Sequence, residues 1–141
     1  MAYVIFIYFS LKILERNKML IPCEVAVKSL IPAIRSAIAR ELIKTYRLKQ
    51  IEAANLLGIT QTAVSKYMTN TRGTAINLVD IEDVDILVNE IASDLVNDNL
   101  PSCDLSKKVC LACKIIRKKR LMCKLCVLSD STLQTQNCDI C

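Results

Sequence analysis

A chain of 141 residues is long enough for one compact domain with an appendage and too short for two large ones. Two glycines, three prolines and no Trp or His, in a chain rich in Leu, Ile, Val and Ala, exclude the turn-dense pattern of an all-β domain and point to an all-α fold. Nineteen basic residues against fourteen acidic ones leave a charge of +5, and the excess comes in blocks: mostly basic over 19–73, purely acidic over 74–102, strongly basic over 103–126. Two basic blocks around an acidic one suggest a polyanion-binding surface with a separate acidic helix turned away from it.

The chain begins with an apolar run, AYVIFIYF over 2–9, followed closely by Lys12, Glu15, Arg16 and Lys18. The run is far below the ~20 residues a membrane-spanning helix needs. It also lacks the leading positive charge and small-residue cleavage site of a signal peptide. Its β-branched and aromatic residues suit a short strand, a helix packed on the core or a membrane-surface anchor. The alternative, taken here as the expectation, is that Met19 is the natural start and residues 1–18 an upstream extension, with the protein in the cytoplasm and without membrane attachment.

Pro22 is placed to open a short helix running through Val25, Val27 and Leu30, which Pro32 then breaks or kinks. In the helix that follows, Ile34, Ala37, Ile38, Glu41, Leu42 and Thr45 fall at three- and four-residue spacings. The apolar members should form a buried stripe while Arg35, Arg40 and Lys44 point elsewhere.

The most informative stretch is LKQIEAANLLGITQTAVSKYMTN over 48–70. Ile51, Ala54 and Leu57 make a short apolar face, and Gly58 stands where a helix ends in a left-handed residue. Thr60 offers a hydroxyl cap to a second helix from Gln61, with Val64, Tyr67 and Met68 on its inner side. The gap of about three residues with its glycine is that of a helix-turn-helix corner. Ala54 is small enough for the second helix to cross closely, and Ile59 plugs the corner. Gln61, Thr62, Ser65 and Lys66 remain on the outer face, where side chains of such a helix reach base edges and phosphates in a major groove. Lys49, Gln50, Thr60, Asn70 and Arg72 flank them as further candidates for DNA contact. Two short helices around a glycine also occur in unrelated bundles and enzymes; the agreement of small residue, turn, cap and polar outer face sets this stretch apart.

The run QIEAANLLGITQTAVSKYM resembles the helix-turn-helix of the Cro/C1-type (XRE-like) regulators. The longer stretch from MLIPCEVAVKSLIPAIRSAIARELIKTYRL onward, followed by a Cys pair and LMCKLC, resembles a group of small archaeal predicted transcriptional regulators. The resemblance runs from near Met19 to about Cys126. It implies a Cro/C1-like DNA-binding domain over 19–100 and, as function, sequence-specific regulation of transcription without enzymatic activity. The partner would be double-stranded DNA, bound by a homodimer whose recognition helices lie one helical turn apart over a near-palindromic site. In that group the last metal-ligand-like position is often His; here it is Cys126, which makes an all-sulfur site the expectation.

Beyond the corner, Ile81, Val84, Val88, Ile91 and Leu95 keep helical spacing, and Asp80, with Asp83 three residues on, is placed to cap the start. The acidic outer face would repel DNA, so this helix is expected across the back of the domain or in a dimer interface, the former being the more economical. Residues 97–102, with Pro101, read as a linker.

Seven of the eight cysteines crowd into the last 39 residues, and without a signal peptide they do not read as a secreted disulfide scaffold. Cys110 and Cys113 form one C-x-x-C pair and Cys123 and Cys126 a second, after nine intervening residues. Two such pairs can present four thiolates to one tetrahedral ion, so 101–128 is expected to be a small Cys-rich module organised by Zn²⁺ or, alternatively, by a [4Fe-4S] or other iron-sulfur cluster. Its role would be structural or the sensing of metal or redox state. Residues 129–141 form a polar tail with a third pair, Cys138 and Cys141. Cys103 is a spare ligand, and Cys23 a small apolar residue. Two other functions fit the same residues: a zinc-bearing adaptor for protein or RNA, and a thiol-disulfide redox protein. The latter lacks the strand-rich context in which C-x-x-C enzymes place their motif.

Overall fold

The structure, a computed structural model, describes residues 20–98 and 101–134, except for the side chains of 132 and 134. The proposed extension over 1–18, Met19 as a start, and the Cys138/Cys141 pair lie outside the described residues. Within them the chain is all-α, with no strand.

Helix α1 (Pro22–Lys28) opens on Pro22, whose missing N–H costs nothing in a first turn. It stops at Ser29, whose N–H and Oγ both donate to the Val25 carbonyl at 3.0 and 2.6 Å. Helix α2 (Leu30–Lys44) then carries Pro32 in its own first turn. A proline there would strike the Lys28 carbonyl if the two helices were continuous, so the break falls just ahead of it. Leu30 accordingly begins α2 rather than ending α1, and Val27, on the far side of α1 from Val25, is 64% exposed.

Helix α2 is the spine of the molecule. Leu30, Ile34, Ile38 and Leu42 recur every four residues and are essentially fully buried, each contributing about 1.5–3 kcal/mol by leaving water. Helix α5 (Glu82–Val96) lies against them with Val84, Leu87, Val88, Ile91, Ala92 and Leu95. Asp80 does not cap α5 as expected. It adopts φ +76° in the preceding turn, and Ile81 takes the capping position without a side-chain hydrogen bond. The segment 69–81 ahead of α5 is pressed against α2 at Gly73. A Cβ there would come within 2.7 Å of both the Pro32 carbonyl oxygen and the Ser36 Cβ, and its φ of +74° already disfavours a side chain.

Helix α6 (Ser102–Lys118) packs along α5 and α2, with Ser102 already inside it rather than in a linker. Helix α7 (Cys123–Ser129) returns to α1, followed by a 3₁₀ turn (Ser131–Gln134). Ala112, Ile116, Met122 and Cys126 belong to the same buried cluster as Ile34, Ile38 and Val88. The segment 101–128 thus packs as part of one apolar core with 25–95. No described helix is long and apolar enough to cross a membrane.

Candidate nucleic-acid interface

Helix α3 (Gln50–Leu57) and helix α4 (Gln61–Met68) form the corner read from 48–70. The N-terminus of α3 is closed by the Glu52 carboxylate, which accepts from the Lys49 N–H at 2.6 Å, half of a capping box. Its C-terminus ends at Gly58, φ +62°. There the Ile59 N–H reaches back to the Ala54 carbonyl at 3.0 Å and the Gly58 N–H to that of Asn55 at 3.2 Å, the paired bonds of a Schellman cap. Thr60 follows as the cap of α4, its Oγ1 accepting from the Ala63 N–H at 3.2 Å.

A second, small apolar cluster holds the corner on α2: Ala39 from α2, Ala54 from α3, and Ala63, Val64 and Tyr67 from α4, with Ile59 and Met68 packed against it. Three of the five buried members are alanines, which is what lets the helices cross closely. The expected apolar face of α3 needs correction. Ala53 is buried beside Ala54, whereas Ile51 is 49% exposed. A contact made of alanines is too narrow to cover a long side chain in the first turn of the helix.

The sequence-derived contact residues fall into two groups. Gln61, Thr62 and Lys66 are exposed on α4, and Ser65 between them is half-buried. Lys49, exposed, and Gln50, half-buried, mark the start of α3. No acidic residue stands in the first turn of α4, so the partial positive charge of its backbone N–H groups is not offset there. Thr60 is exposed but its oxygen is engaged in capping.

The second group lies past the end of α4 and is tied into the protein. Arg72 extends over the Tyr67 ring, 6.0 Å from its centroid. Asn70 adopts φ +57°, and its side-chain oxygen accepts from Arg40. Arg40 was expected to point away from the bundle. Instead its Nη2 also donates to the Tyr67 carbonyl at 2.8 Å, and its Nε to Ser36 Oγ at 3.3 Å. Thr69 and Thr71 add hydroxyl bonds to the Ser65 and Lys66 carbonyls at 3.1 Å each. The links of Arg40 to Tyr67 and Asn70 were not visible in the sequence, because they span 27 and 30 positions.

The second basic block is partly consumed by the acidic helix. Lys108 reaches Asp94 at 2.6 Å and Glu90 at 3.4 Å, Lys119 reaches Asp83 at 2.9 Å, and Lys107 pairs with Asp104 on its own helix at 2.9 Å. The Asp94 hydrogen bond, with Glu90 behind it, holds the Lys108 ammonium above its ordinary pKa against a smaller opposing effect of burial. The Asp104 hydrogen bond and charge raise Lys107 likewise. The acidic helix therefore serves as a counter-charge for α6. Lys114, Lys118 and Lys124 remain exposed.

The four expected metal ligands are divided between two helices. Cys110 and Cys113 lie within α6, the first exposed and the second half-buried, while Cys123 and Cys126 lie on α7, half-buried and buried. Among the described residues no group of three or more Cys, Asp or Glu side chains converges as a metal centre requires. Each C-x-x-C pair is wound into a helix, where residues three apart share one face, so a pair offers two thiols side by side.

Searches among protein-family models, curated proteins and solved structures find no match to this chain.

Proposed function

We propose that the chain is a sequence-specific, double-stranded DNA-binding regulator of transcription. On this reading it carries a Cro/C1-like helix-turn-helix domain, α4 is the recognition helix, and two copies act together. The observation that carries the proposal is the α3–α4 corner. A Schellman cap at Gly58, a hydroxyl cap at Thr60 and an alanine-lined crossing fix a short helix whose outer face is Gln61, Thr62, Ser65 and Lys66. Gln and Lys can make hydrogen bonds to purine edges, Ser and Thr to bases or phosphates. Exposed Lys44 at the end of α2, with Arg47 and Lys49 between α2 and α3, adds phosphate-directed charge.

Selection from a random duplex library with the purified full chain tests this. The expected result is one enriched motif, repeated with half-sites about 10 base pairs apart. Gln61→Ala with Ser65→Ala should then weaken that duplex at least about tenfold while the urea midpoint stays in place. Absence of any enriched motif overturns the DNA reading. Enrichment that the double variant leaves untouched overturns the assignment of α4.

A further inference from the structure

The two ends of α4 are held differently. Its N-terminus depends on one side chain, Thr60, whereas its C-terminus is bound from outside by Arg40 of α2. Arg40 sits one residue beyond Ala39, the α2 member of the small cluster beneath α4, so α2 carries the guanidinium to the rim of that cluster. There one planar group spans three acceptors: Ser36 on its own helix, the Tyr67 carbonyl in the last turn of α4, and the Asn70 side chain just beyond it. The Tyr67 carbonyl, which also accepts from the Asn70 N–H at 3.3 Å, lies in the last turn of the helix, where carbonyls carry partial negative charge and a cation is favoured. Asn70 sits in the left-handed region that Asn tolerates better than most residues, with its side chain turned to the same guanidinium. A lysine could keep the charge but could not bridge these acceptors with one rigid fork.

We infer that Arg40 is the positioning residue of the recognition helix: it sets the angle at which α4 leaves α2, and so where Gln61, Thr62, Ser65 and Lys66 are presented, without itself contacting DNA. This rests on the reading of α4 as the recognition helix, though the clamp itself does not.

The test uses full-length Arg40→Lys and Arg40→Gln in two measurements. The first follows hydrogen exchange of the backbone amides without DNA. Both variants should speed exchange at the end of α4, at Met68 and Thr69, about tenfold relative to amides of α5. Unchanged exchange there overturns the inference, whatever becomes of the DNA reading. The second titrates the selected duplex and a scrambled one over a salt series. Both variants should lose affinity for the selected duplex about tenfold or more, with the scrambled duplex and the salt slope unchanged. A salt slope lowered by about one in Arg40→Gln and kept in Arg40→Lys would make Arg40 a phosphate contact and overturn the positioning role. If wild type selects no motif, the DNA reading fails and the exchange measurement alone decides whether the clamp exists. Should Arg40→Gln not fold, Arg40→Lys carries both measurements.

Discussion

The α3–α4 corner and the α6–α7 arm were both read from residue spacing, and they answer that reading differently. In the corner each cue acts on the backbone next to it. A glycine ends a helix in a left-handed residue, a threonine caps the next, and an alanine permits a close crossing, so spacing and geometry are nearly the same information. In the arm the cue is a ligand set whose members must be gathered from two helices. Spacing says only that four thiols are near one another in sequence. The amphipathic pattern of Leu105, Val109, Ala112 and Ile116 drives α6 to form a continuous helix on α5, and among the described residues no three donors gather as one group.

The contrast can be broken most forcefully at the arm. If α6 and α7 are held by the shared core, Met122→Ala, at a fully buried position, destabilises the whole chain by about 2–5 kcal/mol in a single urea transition. A separate early transition of the arm, with the rest of the chain unaffected, would instead make it an independent module. By the same logic a strong chelator leaves helix content and thermal midpoint unchanged; a fall in either would show a metal assembling what the apolar contacts do not.

At the corner, Thr60→Ala removes the hydroxyl that accepts from Ala63 and should cost about 1 kcal/mol by urea titration. No measurable loss would mean that α4 is fixed from its other end alone.

The smallest effect concerns the contact between the acidic and basic helices. Lys108→Met should cost no more than about 1 kcal/mol, since Lys108 and Asp94 remain 27% and 32% exposed. The sign in pH follows from the raised pKa. Lys108 contributes fully below the unfolded value of 10.5 and loses that contribution as pH rises through its folded value. The difference between variant and wild type should therefore shrink above pH 10.5; a difference that grows with pH would contradict the pairing.

What was legible follows the same division. The spine of α2, the inner face of α5 and both caps of the corner are periodic or local, and Ile34, Ile38, Val84, Ile91, Gly58 and Thr60 could be placed from neighbours within four or five residues. Ile51 was misplaced because its spacing fits a helix face whose width depends on how small the partner residues are. Arg40 was read as pointing away from the buried stripe and Lys108 as part of a polyanion-binding block. Their partners lie on other helices, and charge alone does not say whether a lysine or arginine meets water, DNA or a carbonyl of its own chain. The charge blocks were therefore a sound guide to sign and a poor guide to availability.

The central claim is that the corner, not the arm, meets DNA, and backbone amide shifts of the full chain titrated with its selected duplex test it most directly. Perturbations concentrated on Lys49, Gln50 and Glu52 and on Thr60, Gln61, Thr62, Ser65 and Lys66, with little change along 107–128, are the predicted result. Shifts confined to the exposed lysines of α6, with α4 silent, would contradict it.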